Sequence, residues 1–458
     1  MKRKTNSFLP IIFLIPLTIG MMIGCKPKFD IPTPDNGSVD ASRYVAIGSY
    51  ITAGYTDGAL YYEAQSVSFA NLLAGQFKLI DGGDFNIPFV PQNSNGISVI
   101  AGNTISINAK STLVNKTDCK GITALGPLKL NPTENYGFFS ANIYNSSAPF
   151  NNLGIPNTKI FHVAFKGYGD VANNPSGNFN PFYQRIASNF ATSSILSDAV
   201  NQNPTFFSLL IGSEDVMGFA LSGGVSDTIT PLSRFNNHVD TIINNLTKNG
   251  AKGVVGNIPD ISSLPYFTTI PYNGLTIDQA QADQLNSLYT PLGINITFTV
   301  GSNPFVIIDT AANFFGFRQM SENEYILLNV PLDSVKCYSY GSLIPMPNKY
   351  VLTANEISLV QTAIANYNGK LSAAAQLKNL AFVDVNSFYK QIKTGMVYNG
   401  ISLNAQFVKG GVFSLDGLQL NPVGQALLTN EFIKSINFMY GSTIPQVDVT
   451  KYKGISFP

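Results

Sequence analysis

The stretch that decides the fold is "YVAIGSYITAGYTDG", residues 44–58. An apolar run from Tyr44 to Ile47 meets Gly48, and Ser49-Tyr50 lead into Thr52-Ala53-Gly54. The pattern predicts a buried strand that ends in a sharp turn and feeds a helix. Two hydroxyl-bearing residues, Ser49 and Tyr50, stand at that turn. Enzymes with parallel sheets place nucleophiles there, at the carboxyl end of a strand.

Similar runs recur along the chain. "TFFSLLIG" (205–212), "AKGVVGNIPD" (251–260) and "LAFVDV" (380–385) read as strands covered on both faces. Helical patterns lie between them. Phe69, Leu72, Leu73 and Phe77 share one face within 68–77, and a second helix spans Leu232 to Lys248. Residues 354–379 open on a Thr353/Glu356 capping box and carry an apolar stripe at Ile357, Val360, Ile364, Tyr367, Leu371 and Ala374. The last helix starts at Asn421-Pro422, a side-chain cap followed by proline at the first helical position. Buried strands alternating with helices predict an α/β fold, a three-layer αβα sandwich on a mostly parallel sheet of about five strands. Residues 85–150, rich in Asn, Ser, Gly and Pro, and the mixed segment 261–350, with a helix expected at 276–289, read as insertions.

The amino terminus has a separate logic. Lys2, Arg3 and Lys4 precede the apolar run 8–23, which Pro10 and Pro16 interrupt and which ends at Gly24-Cys25. Residues 1–24 read as a signal peptide, too short and too broken to span a membrane. Residues 25–42, with three prolines, read as a tether, so the body is expected to begin near Arg43. Charged residues make up 12% of the chain and the formal net charge is +1, so no concentrated basic face points to nucleic acid. Two further cysteines, Cys119 and Cys337, would either pair, as an exported protein permits, or stay as buried thiols. No metal-ligand spacing and no cofactor motif occurs.

Four blocks in order resemble the SGNH/GDSL hydrolases, and more narrowly the lipoproteins of that family found in Bacteroidetes. "AIGSYITAGYTDG" resembles the first block, G-D-S-L-T-A-G. "NLGIPNTKIFHV" (152–163) resembles N-x-G-x-x-G, "LLIGSEDVMGFALSGG" (209–224) the block carrying G-x-N-D, and "VFSLDGLQLNPVGQALLTNEFIKSIN" (412–437) the block carrying D-x-x-H. The Gly24-Cys25 ending resembles a lipobox. It implies lipidation of Cys25 and a cell-envelope protein held on a membrane face by its lipid.

The family's chemistry requires a serine nucleophile, a histidine base oriented by aspartate, and an oxyanion site of glycine N–H and asparagine side chain. Here Tyr50 takes the serine's place, with Ser49 before it. Asn157 takes the glycine's place, Glu214 the asparagine's and Gln419 the histidine's; of the triad only Asp416 remains. Asn157 tolerates a positive φ and keeps its N–H. Gln419 cannot accept a proton near neutral pH, and an ionised Glu214 would oppose an oxyanion. Ser49 is expected to face away from Asp416, because a one-residue shift at a strand end reverses the side chain. His162, after a strand-like "KIF", and His238, on a helix, read as structural or surface residues. The resemblance, with these substitutions, therefore implies a silent binding protein for a glycan, an ester or a protein. The alternatives are an esterase or carbohydrate deacetylase using Ser49 or a Tyr50/Glu214 pair, Glu214 and Asp416 as paired carboxylates, and a structural or assembly lipoprotein. In the plainer view of the substitutions, Tyr50 fills the old site and hydrogen-bonds to Glu214.

Overall fold

The computed structural model describes Met1 and residues 33–100 and 106–458. The expected signal peptide, Cys25 and the first part of the tether lie outside the described residues. Five strands form the central sheet: β1 (Tyr44–Gly48), β2 (Asn152–Gly154), β3 (Phe206–Leu210), β4 (Lys252–Gly256) and β5 (Ala381–Val383). Their order is β5-β4-β3-β1-β2, and every pairing is parallel. All five residues of β1 and of β3 are buried, which is why both read as continuous apolar runs.

Helices cover both faces. On one side lie α1 (Phe69–Phe77) and, from the end of the chain, the helix Pro422–Tyr440; Phe69 and Phe432 meet with ring centroids 4.7 Å apart. On the other lie α2 (Leu232–Thr247) and α3 (Ala354–Leu377), joined by the stacked rings of Phe235 and Tyr367 at 3.9 Å. We label the helix Pro422–Tyr440 α4. This is a three-layer α/β fold. The expected caps form: Glu356 Oε2 accepts from the Thr353 N–H at 2.8 Å, and Asn421 Oδ1 from the Gly424 N–H at 3.0 Å.

The turn after β1 depends on glycines. A Cβ on Gly154 of β2 would lie 2.3 Å from Ala53 N and 2.6 Å from Thr52 C, both backbone atoms. Neither can move without displacing the β1 turn. Gly154→Ala is therefore expected to cost about 3 kcal/mol, read as a lower urea midpoint.

Three expectations are corrected. Residues 35–42 are not tether: Val39 and Ala41 are buried, and the Ser38 N–H donates to Tyr440 O at 3.0 Å. The helix expected at 276–289 is only Gln279–Tyr289, because Asp278 caps it and Leu275–Ile277 pair as a strand with Gly301–Asn303. The "KIF" before His162 is no strand; Ile160–Ala164 is a 3-10 helix.

The insertions build walls above the sheet. The first contains the hairpin Ser111–Thr117/Thr123–Lys129. The second has its own apolar cluster, including Phe298, Val306, Ile307, Ile326 and Met346. Cys119, in the hairpin turn, forms a disulfide with Cys337, at the end of the helix Leu332–Cys337. That bond resolves the open question of the two cysteines and ties one insertion to the other. Beside it Lys336 Nζ pairs with Asp118 Oδ2 at 2.7 Å.

Candidate ligand cleft at the carboxyl ends of the strands

In parallel α/β sheets, ligands bind beyond the carboxyl ends of the strands, where the strand order reverses. Here the chain goes from β1 to β2 on one side and then to β3 on the other, so the reversal lies between β1 and β3. A cleft of about 490 Å³ opens there, within the usual range for a small-molecule site. Tyr50 enters it from the turn after β1, Asn157 from beyond β2 and Glu214 from beyond β3. Asp416 and Gln419 come from the loop before α4. The four sequence blocks, far apart in the chain, thus meet in one place.

Ser49 lies elsewhere. It is buried and faces a recess of about 40 Å³ that it shares with Tyr50, Glu214, Gln419 and Tyr389, but not Asp416. Its Oγ accepts the Thr158 N–H at 3.2 Å. Asn157 adopts φ 61°, a left-handed conformation that asparagine tolerates better than most side-chain-bearing residues. Its N–H has no hydrogen-bond partner among the described residues.

The first and last blocks are laced together. Asp57 Oδ1 accepts the Leu415 N–H at 2.9 Å, and Asp57 donates its own N–H to Ser414 Oγ at 3.1 Å. Asp416 Oδ2 accepts the Gly58 N–H at 3.1 Å. Asp416 Oδ1 accepts from Ser414 Oγ, Leu418 N and Gln419 N, each at 2.8 Å. The Asp416 carboxylate therefore holds a loop in shape.

Burial sets the charges. Glu214 is 8% exposed, and its carboxyl has no hydrogen-bond partner among the described residues. Burial, with Asp215 beside it, pushes its pKa up to about 8 against the opposing pull of Lys159. Near neutral pH it is an undissociated acid that can donate a hydrogen bond. Burial, reinforced by the negative charge of Glu214, also holds the Tyr50 phenol well above the ordinary tyrosine range. A phenol so protonated is a poor nucleophile. The expected bond from Tyr50 to Glu214 is absent. The Tyr50 ring instead packs edge-on against Tyr55 at 4.7 Å, because the short helix Tyr50–Ala53 turns it toward that side.

Neither histidine lines the cleft. His162 is stacked on Tyr168 at 4.4 Å, and burial pushes its pKa down to about 3. His238 lies on α2, its pKa lowered by partial burial and Arg234. No group of three or more His, Cys, Asp or Glu is placed to hold a metal among the described residues.

Sequence reasoning missed the walls. Ser98, Ser111, Pro127 and Lys129 come from the first insertion, and Tyr266, Leu328 and Asn329 from the second. Tyr55 and Asp57 were within reach, since the Thr-Asp-Gly after the first block is a turn signal. Comparison with family models, curated proteins and solved structures gave no match.

The site can therefore do some things and not others. It offers the rings of Tyr50, Tyr55 and Tyr266, the hydroxyls of Ser98 and Ser111, the amides of Asn157, Asn329 and Gln419, and the Glu214 acid. Its acid–base groups are the carboxyls of Glu214 and Asp416, the Lys129 amine and the tyrosine phenols, with no imidazole among the residues that line it.

Proposed function

We propose that this chain is a lipid-anchored binding protein of the bacterial cell envelope, built on an SGNH/GDSL-hydrolase-like fold and lacking that family's Ser-His-Asp reaction. Its ligand is a neutral, hydroxyl-rich molecule of the saccharide class. The observation that carries this reading is the composition of the cleft. Tyr50, Glu214 and Gln419 stand together where a nucleophile, an oxyanion donor and a base would be needed. Tyrosine faces with hydroxyl and amide groups suit a sugar, whose apolar ring face stacks while its hydroxyls hydrogen-bond. The strand order 2-1-3-4-5 and the assembly of the four blocks around one cleft support the family reading.

Two of the active-enzyme alternatives lack support at their own residues: Ser49 Oγ is engaged by the Thr158 N–H, and the Tyr50 phenol is held protonated. The test uses the purified chain with neutral oligosaccharides in calorimetry, and with p-nitrophenyl acetate and a fluorophosphonate probe. Binding that Gln419→Ala and Tyr266→Ala each weaken about tenfold, without ester turnover or labelling, is the expected result. Turnover abolished by Tyr50→Phe or Ser49→Ala would overturn the proposal.

Glu214 adds a pH dependence. Its carboxyl titrates near 4.5 as a free side chain and near 8 when folded. Between those values the unfolded chain has lost the proton that the folded chain keeps, so stability falls as pH rises through this window. Asp215, pushed up to about 7 by burial, adds to the same slope. Glu214→Gln is expected to leave stability at pH 4 unchanged and to raise it at pH 8 by about 2–4 kcal/mol, read from urea unfolding at the two pH values.

A further inference from the structure

We infer that the end of the molecule opposite the cleft rests on the lipid bilayer, with Phe438, Met439 and Leu377 as its contact, so that the cleft opens away from the membrane. This inference rests on the anchor reading of Cys25.

Where the chain leaves the fold decides the orientation. Asp35 donates its N–H to Thr443 Oγ1 at 2.9 Å and accepts the Thr443 N–H at 2.9 Å. Ser38 donates its N–H and its Oγ to Tyr440 O, at 3.0 and 3.1 Å. The segment leading back to Cys25 is thus fixed at the carboxyl end of α4. About ten residues separate Asp35 from Cys25, which reach at most about 35 Å when extended. A lipid on Cys25 would keep this end of α4 close to the bilayer.

The same end of α4 carries the apolar surface. Phe438 is 92% exposed and Met439 38%. They border a groove of about 480 Å³ that runs past Leu380, Ala381 and Phe382 at the start of β5 to Gln376 and Asn379 at the end of α3, where Leu377 is 77% exposed. Single exposed apolar residues are ordinary, but a group beside the anchor's exit is a surface for a partner. Exposed Lys434, paired with Glu431 at 2.7 Å, lines it, and exposed Lys378 follows Leu377 in the chain, as cations accompany the apolar face of segments that lie in a membrane interface. α4 runs antiparallel to the strands: its last residue, Tyr440, donates its hydroxyl to Gly253 O near the start of β4. The groove is therefore at the amino ends of the strands, and the cleft is at their carboxyl ends.

The chain contains no tryptophan, so one introduced indole reports alone. The lipidated full chain carrying Phe438→Trp, and a second carrying Tyr266→Trp in the cleft, are reconstituted into phosphatidylethanolamine/phosphatidylglycerol vesicles containing brominated acyl chains. The expected result is at least twofold quenching and a blue shift for Phe438→Trp, with no quenching for Tyr266→Trp. A chain that floats with the vesicles while both indoles stay unquenched overturns the docking inference alone. A Phe438→Trp indole that is blue-shifted but not quenched by brominated lipid also overturns it, in favour of a protein partner or second copy. A chain without lipid mass on Cys25 that fails to float overturns the anchor reading, and the docking with it.

Discussion

Tyr50→Ser combined with Glu214→Asn and Gln419→His is expected to hydrolyse p-nitrophenyl acetate, on the order of 10²–10⁴-fold above the unsubstituted chain. This expectation rests on the proposed family reading, and two residues at family-equivalent positions have geometry that suits it. Asp416 Oδ2 accepts only the Gly58 N–H, leaving capacity to orient an imidazole three residues on. Asn157 holds the left-handed conformation, and its N–H, without a hydrogen-bond partner among the described residues, is free to face an oxyanion. Replacing Glu214 removes an acid whose ionisation, near pH 8, would put negative charge where an oxyanion develops. Gln419→His alone is expected to gain nothing, since Tyr50 still occupies the nucleophile's position. Labelling of residue 50 by a fluorophosphonate should accompany the gain. A folded triple variant without turnover or label would mean that the cleft has been reshaped for binding and no longer admits an ester in line.

The second large effect concerns the disulfide that joins the two insertions. Cys119→Ser with Cys337→Ser is expected to cost about 2–5 kcal/mol, because the bond closes a long loop and so restricts the unfolded chain. The sequence separation is 218 residues, far into the range where that restriction is greatest. The neighbouring pair Lys336–Asp118 is too exposed to substitute for it. The functional consequence follows from what each arm contributes. Ser111, Pro127 and Lys129 stand on one side of the bond and Tyr266, Leu328 and Asn329 on the other. Release should let the walls part and shorten the residence time of the proposed saccharide ligand. Urea unfolding with and without reductant measures the first effect, and dissociation rates measure the second. Equal midpoints in the two conditions would count against a structural role for the bond.

The elements legible in sequence share a physical property: each is long, or marked by a cap. β1, β3 and β4 are buried on both faces and read as apolar runs. α3 and α4 announce themselves through Thr353/Glu356 and Asn421-Pro422. β2 was not legible as a strand, because Asn152–Gly154 has three residues and its pairing with β1 comes from across the sheet. The docking of residues 35–42 was also hidden. Three prolines and few apolar residues resemble a tether, and only contact with Tyr440 and Thr443 shows otherwise. Within the site, the sequence named Tyr50, Asn157, Glu214, Asp416 and Gln419, and all five line one cleft. It could not name Tyr266, Leu328 or Asn329, whose positions depend on how an insertion folds over the sheet.

The sequence by itself determined the layered α/β architecture and the residue types at the centre of the cleft, because burial period, caps and short motifs are local properties. That residue 419 is a carboxamide and not an imidazole is likewise written in one residue. Tertiary structure decided the rest. The neutral state of Glu214 follows from desolvation by neighbours distant in the chain, and Asp416's hold on the 57–58 loop from two blocks meeting. The Cys119–Cys337 bond and the walls it joins follow from the packing of two insertions, which no local pattern encodes.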